Sequence, residues 1–492
     1  MTNEELKILE DNLWKAANEM RANSGLKSHE YATPVLGIIF LKFADNKYSI
    51  FEKEIEAEFK KQENSRTSKP IHEIAIAKCG YYLPPEARYK YLLETPEEGR
   101  TVEGQQDKQT IEVLVKRAME SIEEHQDENF KNVLPKDEYT DLKDILPKLL
   151  KTFNDIPKNA TGDIFGKIYE YFLGKFAMSE GQKGGEFFTP TSVVKLIVEI
   201  IEPYYQKKHS GGTVRIYDPA CGSGGMFVQS AKFVEENHLG KAEDFSVYGQ
   251  EKTDATTKLA KMNLMVNNLK NEIETVNSYS DDPFKSLGKF DYVMANPPFN
   301  VDSVKEDTIK DDSRFTKFGY PHKKSKKKEG ANVPNANYLW ISLFINSLNN
   351  KGRSGFVIAN SASDARSSEY EIRKKIIETG FVDAILSMPS NMFFTVTLPA
   401  TLWFIDKAKA ETENKDKILF IDARNTYKQI DRAHREFTDE HQQNLATIAR
   451  LYRGNNHRFT KLVERYFTLA LENIKPANLH FTELLGSFTE SL

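Results

Sequence analysis

The sequence predicts an α/β protein with a doubly wound, mostly parallel sheet, a helical N-terminal domain before it and a helical C-terminal tail after it. After Pro157, short apolar runs alternate with amphipathic helical stretches, an alternation that is typical of a doubly wound sheet. Two of the apolar runs end in turns rich in glycine or proline. The length of 492 residues indicates more than one domain.

The elements divide the chain into three predicted parts. Residues 1–155 are predicted to be mostly helical, 156–425 to form the sheet with its helices, and 426–492 to be a helical tail. The stretch "NYLWISLFINSLNN" is predicted to be one helix within the second part. The candidate strands are Thr213–Tyr217, Phe245–Gln250, Phe290–Ala295, Gly355–Ile358, Val382–Leu386, Ala400–Ile405 and, as one more, Ile418–Arg424.

Composition excludes several classes of protein. A hydrophobic fraction of 39% and a charged fraction of 28% are typical of globular proteins, and no apolar run approaches the roughly 20 residues of a membrane helix. The polar, acidic N-terminus does not resemble a secretory signal. Two cysteines, Cys79 and Cys221, exclude a disulfide scaffold and argue against a cysteine zinc site, so we expect a cytoplasmic protein without a metal. Because the net charge is −4, nucleic-acid binding would depend on local basic patches.

A glycine-rich turn, "YDPACGSGGMF", follows the first predicted strand and opens a helix. Gly222, Gly224 and Gly225 would let the backbone approach a ligand, and the helix N-terminus offers unpaired N–H groups. The pattern matches neither the dinucleotide fingerprint nor the phosphate-binding loop. Asp218 would repel a pyrophosphate but suits a ligand that carries an ammonium group. The alternative is an ordinary glycine-rich turn between a strand and a helix.

Polar residues also end the next two predicted strands. Glu251 ends "FSVYGQE", where a carboxylate can accept two hydrogen bonds from a ribose diol. The stretch "NSYSDDPF" would close the third strand, and Asn277 and Asp281 are its candidates for lining the crevice. Taken singly, each of these residues has an equally simple structural interpretation, as a solvated strand end or as part of a turn.

The stretch "DYVMANPPFN" runs an apolar strand directly into two prolines. Pro297 and Pro298 end the strand and stiffen the turn, since neither can donate to a ladder. The Asn296 amide oxygen and the Pro297 carbonyl could then accept hydrogen bonds from the exocyclic amine of a base such as adenine, favouring a more tetrahedral nitrogen. Phe299 offers a face for a base to stack on. The alternative is that the prolines only terminate the strand.

"DPACGSGG" together with "NPPF" resembles the S-adenosyl-L-methionine-dependent methyltransferases that modify DNA adenine at N6. With "GGEFFTP", "NANYLW" and "GRSGFVIAN" in order, the chain resembles the modification (methylase) subunit of type I restriction-modification systems. The resemblance implies a Rossmann-like methyltransferase core and a flipped target base. The implied cofactor-binding residues are Glu186, Phe187, Phe188, Thr189, Pro190 and Thr191 at the methionine part, Asp218, Gly222, Ser223, Gly224 and Gly225 in the loop, and Glu251 at the ribose, with Asn277 as a further candidate. Asn296, Pro297, Pro298 and Phe299 would be the target-amine motif.

The residues that follow Ile405 are too few for a domain that reads bases by many side-chain contacts. We therefore expect a partner to choose the target sequence in double-stranded DNA, and the tail is its predicted docking site. In the family that partner is the specificity subunit, with two methylase subunits for each. Since no phosphate-binding loop is present, translocation and cleavage would belong to a separate restriction/translocase subunit.

A lysine-rich stretch, "PHKKSKKKEG", lies between the proline turn and the next helix. It is predicted to contact DNA phosphates, or alternatively to be a solvated charge run. Its lysines are Lys323, Lys324, Lys326, Lys327 and Lys328. Rival functions stay open at this point: methylation of cytosine N4, of RNA or of a protein glutamine, and a non-catalytic scaffold that binds the cofactor.

Overall fold

The computed structural model describes residues 3–62, 68–102, 104, 106–126, 130–158, 160, 162–180, 189–203, 213–236, 241, 244–322, 331–393, 399–432 and 434–472. The first part of the chain is helical, as predicted. Its helices are α1 (Asn3–Ser24), α2 (Ser28–Gln62), α3 (Ile71–Cys79), α4 (Tyr89–Leu93), α5 (Ile111–Glu124), α6 (Leu146–Phe153) and α7 (Gly162–Glu180). Short 3-10 turns lie at Pro85–Ala87 and Thr140–Leu142.

The helix α2 forms the centre of this helical part, because its apolar run "VLGIIFL" is buried on every side. A close approach fixes one position on it. A Cβ added to Gly37 would lie 2.4 Å from the Tyr139 hydroxyl, which itself donates to the Pro34 carbonyl at 2.9 Å. The glycine therefore lets the segment that carries Tyr139 pack against the backbone of α2.

An eight-stranded sheet follows, in the order β3-β2-β1-β4-β5-β7-β6-β8. Its strands are β1 (Val214–Asp218), β2 (Phe245–Glu251), β3 (Asn271–Thr275), β4 (Phe290–Ala295), β5 (Leu348–Ala359), β6 (Val382–Ser387), β7 (Ala400–Asp406) and β8 (Leu419–Asp422). Only β7 runs antiparallel to its neighbours, so the prediction of a mostly parallel sheet is confirmed.

Helices cover both faces of the sheet. The helices of this part are α8 (Thr191–Ile201), α9 (Gly225–Glu236), α10 (Asp254–Val266), α11 (Glu306–Ile309), α12 (Ser313–Thr316), α13 (Asn337–Ser347), α14 (Ser361–Asp364) and α15 (Ser368–Glu378), with a 3-10 turn at Lys407–Glu411. The helices α8 and α9 share one apolar cluster with the sheet, whereas α13 and α15 share the other. This two-sided cover defines a doubly wound fold.

The predicted helix "NYLWISLFINSLNN" is wrong at its end. The helix α13 stops at Ser347, and β5 begins directly at Leu348 and is longer than the predicted Gly355–Ile358. Leu348 is fully buried opposite Phe290, and the pairing of β4 with β5 then shifts register before it resumes at Arg353. Tertiary pairing with β4 thus overrides the helical pattern of the last residues.

The C-terminal part begins with strands rather than with the expected helices. After β8 the chain forms a hairpin of β9 (Lys428–Gln429) and β10 (Arg435–Glu436), then α16 (Asp439–Tyr452) and α17 (His457–Glu472). The buried guanidinium of Arg450 on α16 binds Glu199 at 2.7 Å and Glu202 at 2.8 Å at the end of α8. Among the described residues, no helix has the length and apolar character that a membrane span requires.

Candidate active site

Three predicted site residues lie at one edge of the sheet. Asp218 ends β1, Glu251 ends β2, and Asn296 immediately follows β4. Because β2, β1 and β4 are adjacent and parallel, the carboxyl ends of the three strands lie side by side. Ligands of doubly wound folds bind at this edge of the sheet.

The glycine loop after β1 has a left-handed backbone at two positions, Gly222 with a φ of +51° and Gly224 with a φ of +79°. Non-glycine residues rarely adopt these angles, so the loop depends on glycine there. The loop is also tied to β2, because the Cys221 N–H donates to the Gln250 carbonyl at 3.0 Å. No described residue lies within 4 Å of a Cβ added to Gly222, so this part of the structure leaves open space beside the backbone of the turn.

Cys221 has a packing role. A Cβ added to Gly249 on β2 would lie 2.9 Å from the Cys221 sulfur and 2.6 Å from Cδ1 of Ile273, so this glycine makes room for the thiol. Burial raises the pKa of the Cys221 thiol well above its usual value. A protonated, buried thiol is a poor nucleophile, which agrees with a packing role for Cys221.

Asp218 is buried, with 1% of its surface exposed. Its Oδ1 accepts a hydrogen bond from the Ala220 N–H at 2.9 Å. Burial, and to a smaller extent the neighbouring negative charge of Glu251, raise the pKa of the Asp218 carboxyl well above its usual value. A cation that bound here would favour the ionised carboxylate, so the site suits a positively charged ligand group.

Glu251 is held through one of its oxygens. Its Oε1 accepts from the Lys252 N–H at 2.8 Å, the Thr253 N–H at 3.0 Å and the Thr253 hydroxyl at 3.1 Å. These bonds fix the carboxylate plane and are all made by the same oxygen. The geometry leaves Oε2 as the atom that a vicinal diol would approach.

Asn277 lies in the turn after β3, where its Oδ1 accepts from the Tyr279 N–H at 3.1 Å and its carbonyl accepts from the N–H groups of Ser280 and Asp281, both at 2.9 Å. The next residue joins this turn to the glycine loop, since the buried Ser278 hydroxyl donates to the Pro219 carbonyl at 2.5 Å. The structure therefore brings the turn after β3 against the loop after β1.

The proline turn after β4 contacts the segment before α8. The Asn296 amide nitrogen donates to the Thr189 hydroxyl oxygen at 2.9 Å, across 107 positions of sequence. Thr189 is followed by Pro190, which caps α8, and by Thr191, its first residue. The hydrogen bond fixes the orientation of the amide and directs its oxygen away from Thr189. Glu186, Phe187 and Phe188 lie outside the described residues, as do Lys323, Lys324, Lys326, Lys327 and Lys328.

The three last residues of the proline turn differ in burial. Pro297 is buried, whereas Pro298 and Phe299 are half-buried. The Phe299 ring packs against the apolar cluster that β1, β2 and β4 share with α8 and α9. The ring is thus supported by the sheet while part of its surface stays accessible.

Asn300 ends the turn with a left-handed backbone, at a φ of +55°. Its N–H donates to Oδ1 of the buried Asn337 at 2.9 Å, and its own Oδ1 accepts from Nδ2 of Asn337 at 2.9 Å and of Asn335 at 3.0 Å. The motif "NANYLW" at the start of α13 therefore clamps the residue next to Phe299. Strained or left-handed residues persist where surrounding bonds of this kind hold them.

Sequence reasoning missed three residues that shape the site: Asn263, Ser278 and Asn337. Asn263 is fully buried on α10, and its Nδ2 donates to the Ser223 carbonyl in the glycine loop at 2.8 Å. A polar residue within the apolar pattern of a helix is the signal that could have identified Asn263.

Among the described residues, no group of three or more His, Cys, Asp or Glu side chains is arranged to hold a metal ion.

Comparison with known proteins agrees with the fold and identifies the family. The sequence matches the N-6 DNA Methylase family over residues 160–476, and the chain belongs to this family. Residues 9–153 match the HsdM N-terminal domain. Within the family, the chain belongs with the methylase subunits of type I restriction enzymes.

The relatives include the type I restriction enzyme MjaIX methylase subunit of Methanocaldococcus jannaschii, which is 36% identical over 90% of this chain and 77% of its own length. The HindI methylase subunit of Haemophilus influenzae is 38% identical over 61% of this chain and 62% of its own length. Among solved structures, the type I restriction-modification methyltransferase subunit from Streptococcus thermophilus superposes with a TM-score of 0.74 at 22% identity, covering 91% of this chain and 93% of that one. This last likeness shows the shared fold.

Proposed function

We propose that this chain transfers a methyl group from S-adenosylmethionine to the N6 amine of adenine in double-stranded DNA. The observation that carries the proposal is the Asn296 amide, held by Thr189 at the sheet edge where Asp218 and Glu251 end the neighbouring strands. Membership of the N-6 DNA Methylase family supports the same reaction. Each of these residues takes a separate role in it.

The residues at the ends of β1 and β2 fit S-adenosylmethionine. Asp218 offers a buried carboxylate for a cationic group, Glu251 offers Oε2 for the ribose diol, and the turn at Gly222 leaves space beside the backbone among the described residues. When bound, S-adenosylmethionine supplies a methyl group on a positively charged sulfur, which leaves as a neutral thioether. The segment from Glu186 to Thr191 would contact its methionine part.

The proline turn acts on the target amine. The Asn296 Oδ1 and the Pro297 carbonyl accept hydrogen bonds from the adenine NH₂, which favours a tetrahedral nitrogen with an available lone pair. Phe299 stacks on the base, which must leave the duplex to reach this position. Because the nitrogen attacks the methyl carbon directly as the carbon–sulfur bond breaks, and then loses a proton to water, no covalent enzyme intermediate is needed, and the buried Cys221 thiol takes no part.

The remaining parts of the chain serve DNA binding and assembly. The chain consists of a helical N-terminal domain, 1–155, a methyltransferase core, 156–425, and a tail, 426–492, that docks a specificity subunit. The family organisation suggests two methylase subunits for each specificity subunit. On the tail, Phe459 and Tyr466 of α17 are exposed aromatic residues, which supports docking there. The lysine-rich stretch from Lys323 to Lys328 would contact DNA phosphates, and a restriction/translocase subunit would complete the complex.

The test is methyl transfer from labelled S-adenosylmethionine to DNA by the full chain, with and without the product of a neighbouring specificity gene. Nucleoside analysis should find the label in N6-methyladenine. Asn296→Ala should abolish transfer, whereas the same change at Asn271, on the edge strand β3, should leave it unchanged. Label in N4-methylcytosine or in protein would contradict the proposal, and so would normal transfer by Asn296→Ala.

A further inference from the structure

The helix α10 has two apolar faces that belong to different parts of the molecule. Met262 and Val266 are fully buried in the apolar cluster formed by the N-terminal helices. Ala260 and Leu264 are fully buried in the cluster of the sheet. Leu264 also lies beside the glycine loop, 3.5 Å from where a Cβ of Gly224 would be. The helix therefore separates the N-terminal helices from the loop that we assign to the cofactor.

Two asparagines, Asn263 on α10 and Asn267 directly after it, are hydrogen-bonded to each other. The Asn263 side chain has no exposed surface, and its Nδ2 donates to the Ser223 carbonyl of the glycine loop at 2.8 Å. On the other side, Nδ2 of Asn267 donates to the Asn263 backbone carbonyl at 2.8 Å and to the Asn263 Oδ1 at 3.2 Å. Both polar atoms of the Asn263 amide are thus bonded, one toward the loop and one toward Asn267.

The Asn267 side chain lies against the backbone of α7 at Gly166. A Cβ added to Gly166 would lie 2.5 Å from Oδ1 of Asn267, so any larger residue there would displace this amide. The adjacent contacts also come from N-terminal helices. The ammonium group of Lys47 on α2 bonds Oδ1 of Asn268, and the Tyr81 hydroxyl donates to the Met265 carbonyl at 3.3 Å. Contacts with α2, α7 and the segment after α3 therefore hold the C-terminal end of α10 in place.

We infer that Asn263 and Asn267 form a relay that couples the N-terminal helices to the cofactor loop, with Asn263 as a positioning residue. A buried amide loses stability when any of its partners moves away, so a shift of α7 at Gly166 would disturb Asn267, then Asn263, and finally the Ser223 carbonyl. Ser223 lies between two glycines with left-handed backbone angles, whose arrangement depends on such anchors. The cofactor role of this loop rests on the function proposed above.

The first test measures the Kd of S-adenosylmethionine for the full chain without DNA. Asn263→Asp keeps the acceptor for Asn267 but removes the donor to Ser223, and Asn267→Ala removes the link to α7. Each should raise the Kd about tenfold, the effect of one hydrogen bond. Gly166→Ala, which lies on α7, should raise it as well. At saturating cofactor, kcat and the KM for DNA should stay within twofold of wild type.

The matched control is Met262→Ala, which removes apolar contacts with the N-terminal helices but none of the relay hydrogen bonds. It should lower the melting temperature while leaving the Kd unchanged. If Met262→Ala weakened cofactor binding as much as Asn267→Ala, the effect would be one of general packing and the relay would be wrong. An unchanged Kd in folded Asn267→Ala and Gly166→Ala would overturn it equally.

A second readout does not depend on the cofactor. Hydrogen exchange of the amides from Gly222 to Met226 should be faster in ligand-free Asn267→Ala than in wild type, and unchanged in Met262→Ala. Equal exchange in Asn267→Ala and wild type would refute the relay. If exchange is faster in Asn267→Ala but the wild-type protein does not bind S-adenosylmethionine, the proposed function is refuted, whereas the coupling between α7 and the loop is supported.

Discussion

Replacing Asn337 by alanine would remove the clamp on the turn that contains the target-amine motif. Asn337 is buried, with 1% of its surface exposed, and both polar atoms of its amide bond Asn300. Alanine leaves the Asn300 N–H without its acceptor and frees a residue whose left-handed backbone needs support. Phe299, which directly precedes Asn300, would then lose its fixed position.

The size of the effect follows from the bonds that are lost. The two partly buried hydrogen bonds contribute about 1 kcal/mol each, so the productive conformation of the turn costs about 2 kcal/mol more in the variant. We expect kcat for methyl transfer to fall roughly 30-fold. The Kd of S-adenosylmethionine should stay the same, because the hydrogen bonds of the Asn337 amide go to Asn300 and not to the ends of β1 and β2.

Single-turnover methylation of DNA, together with equilibrium binding of the cofactor, separates the two effects. Asn337→Asp keeps the acceptor for the Asn300 N–H and should lose less activity than Asn337→Ala. Ser342→Ala, a buried change on the same helix, should leave kcat unaltered. A folded Asn337→Ala with wild-type kcat would refute the clamp, as would a fall in kcat matched by an equal loss of cofactor affinity.

Three other residues give further predictions. Thr189→Val should lower kcat about tenfold by releasing the Asn296 amide, while Thr189→Ser should restore it; equal rates for the two variants would exclude this role. Because burial raises the pKa of Asp218 well above its usual value, and a cation binds its ionised form, the Kd of S-adenosylmethionine should fall as pH rises through that raised pKa, by at most about tenfold per unit; calorimetry should find no such trend in Asp218→Asn. Arg450→Ala should cost about 3 kcal/mol of unfolding free energy in a denaturant titration, whereas the more exposed Arg458→Ala should cost under about 1 kcal/mol.

The residues near each strand end made much of the candidate active site predictable, at the carboxyl ends of β1, β2 and β4. The end of β4 at Ala295 follows from two prolines that cannot donate to a ladder, and the predicted strand Phe290–Ala295 has the observed bounds. The ends of β1 and β2 were predicted to within one residue, because the carboxylates of Asp218 and Glu251 interrupt apolar runs. In each case the signal lies within a few residues of the feature.

Features that depend on distant pairing were not predictable in this way. Nothing local indicates that Thr189 bonds Asn296, or that Asn337 bonds Asn300, since sheet topology brings these partners together. The strand that replaces the end of the predicted helix after Ser347 arises from pairing with β4. The hairpin of β9 and β10 was missed because its two-residue strands are too short and polar to show a period of two.

The burial of Cys221 has a practical consequence for labelling. The other cysteine of the chain, Cys79, is also buried, and burial raises the pKa of its thiol as well. Thiol reagents attack thiolates at accessible sulfur, so the native protein should react slowly with maleimides. One cysteine introduced at the exposed Tyr466 of α17 would then carry a single fluorophore, and its emission would report when another protein covers that helix.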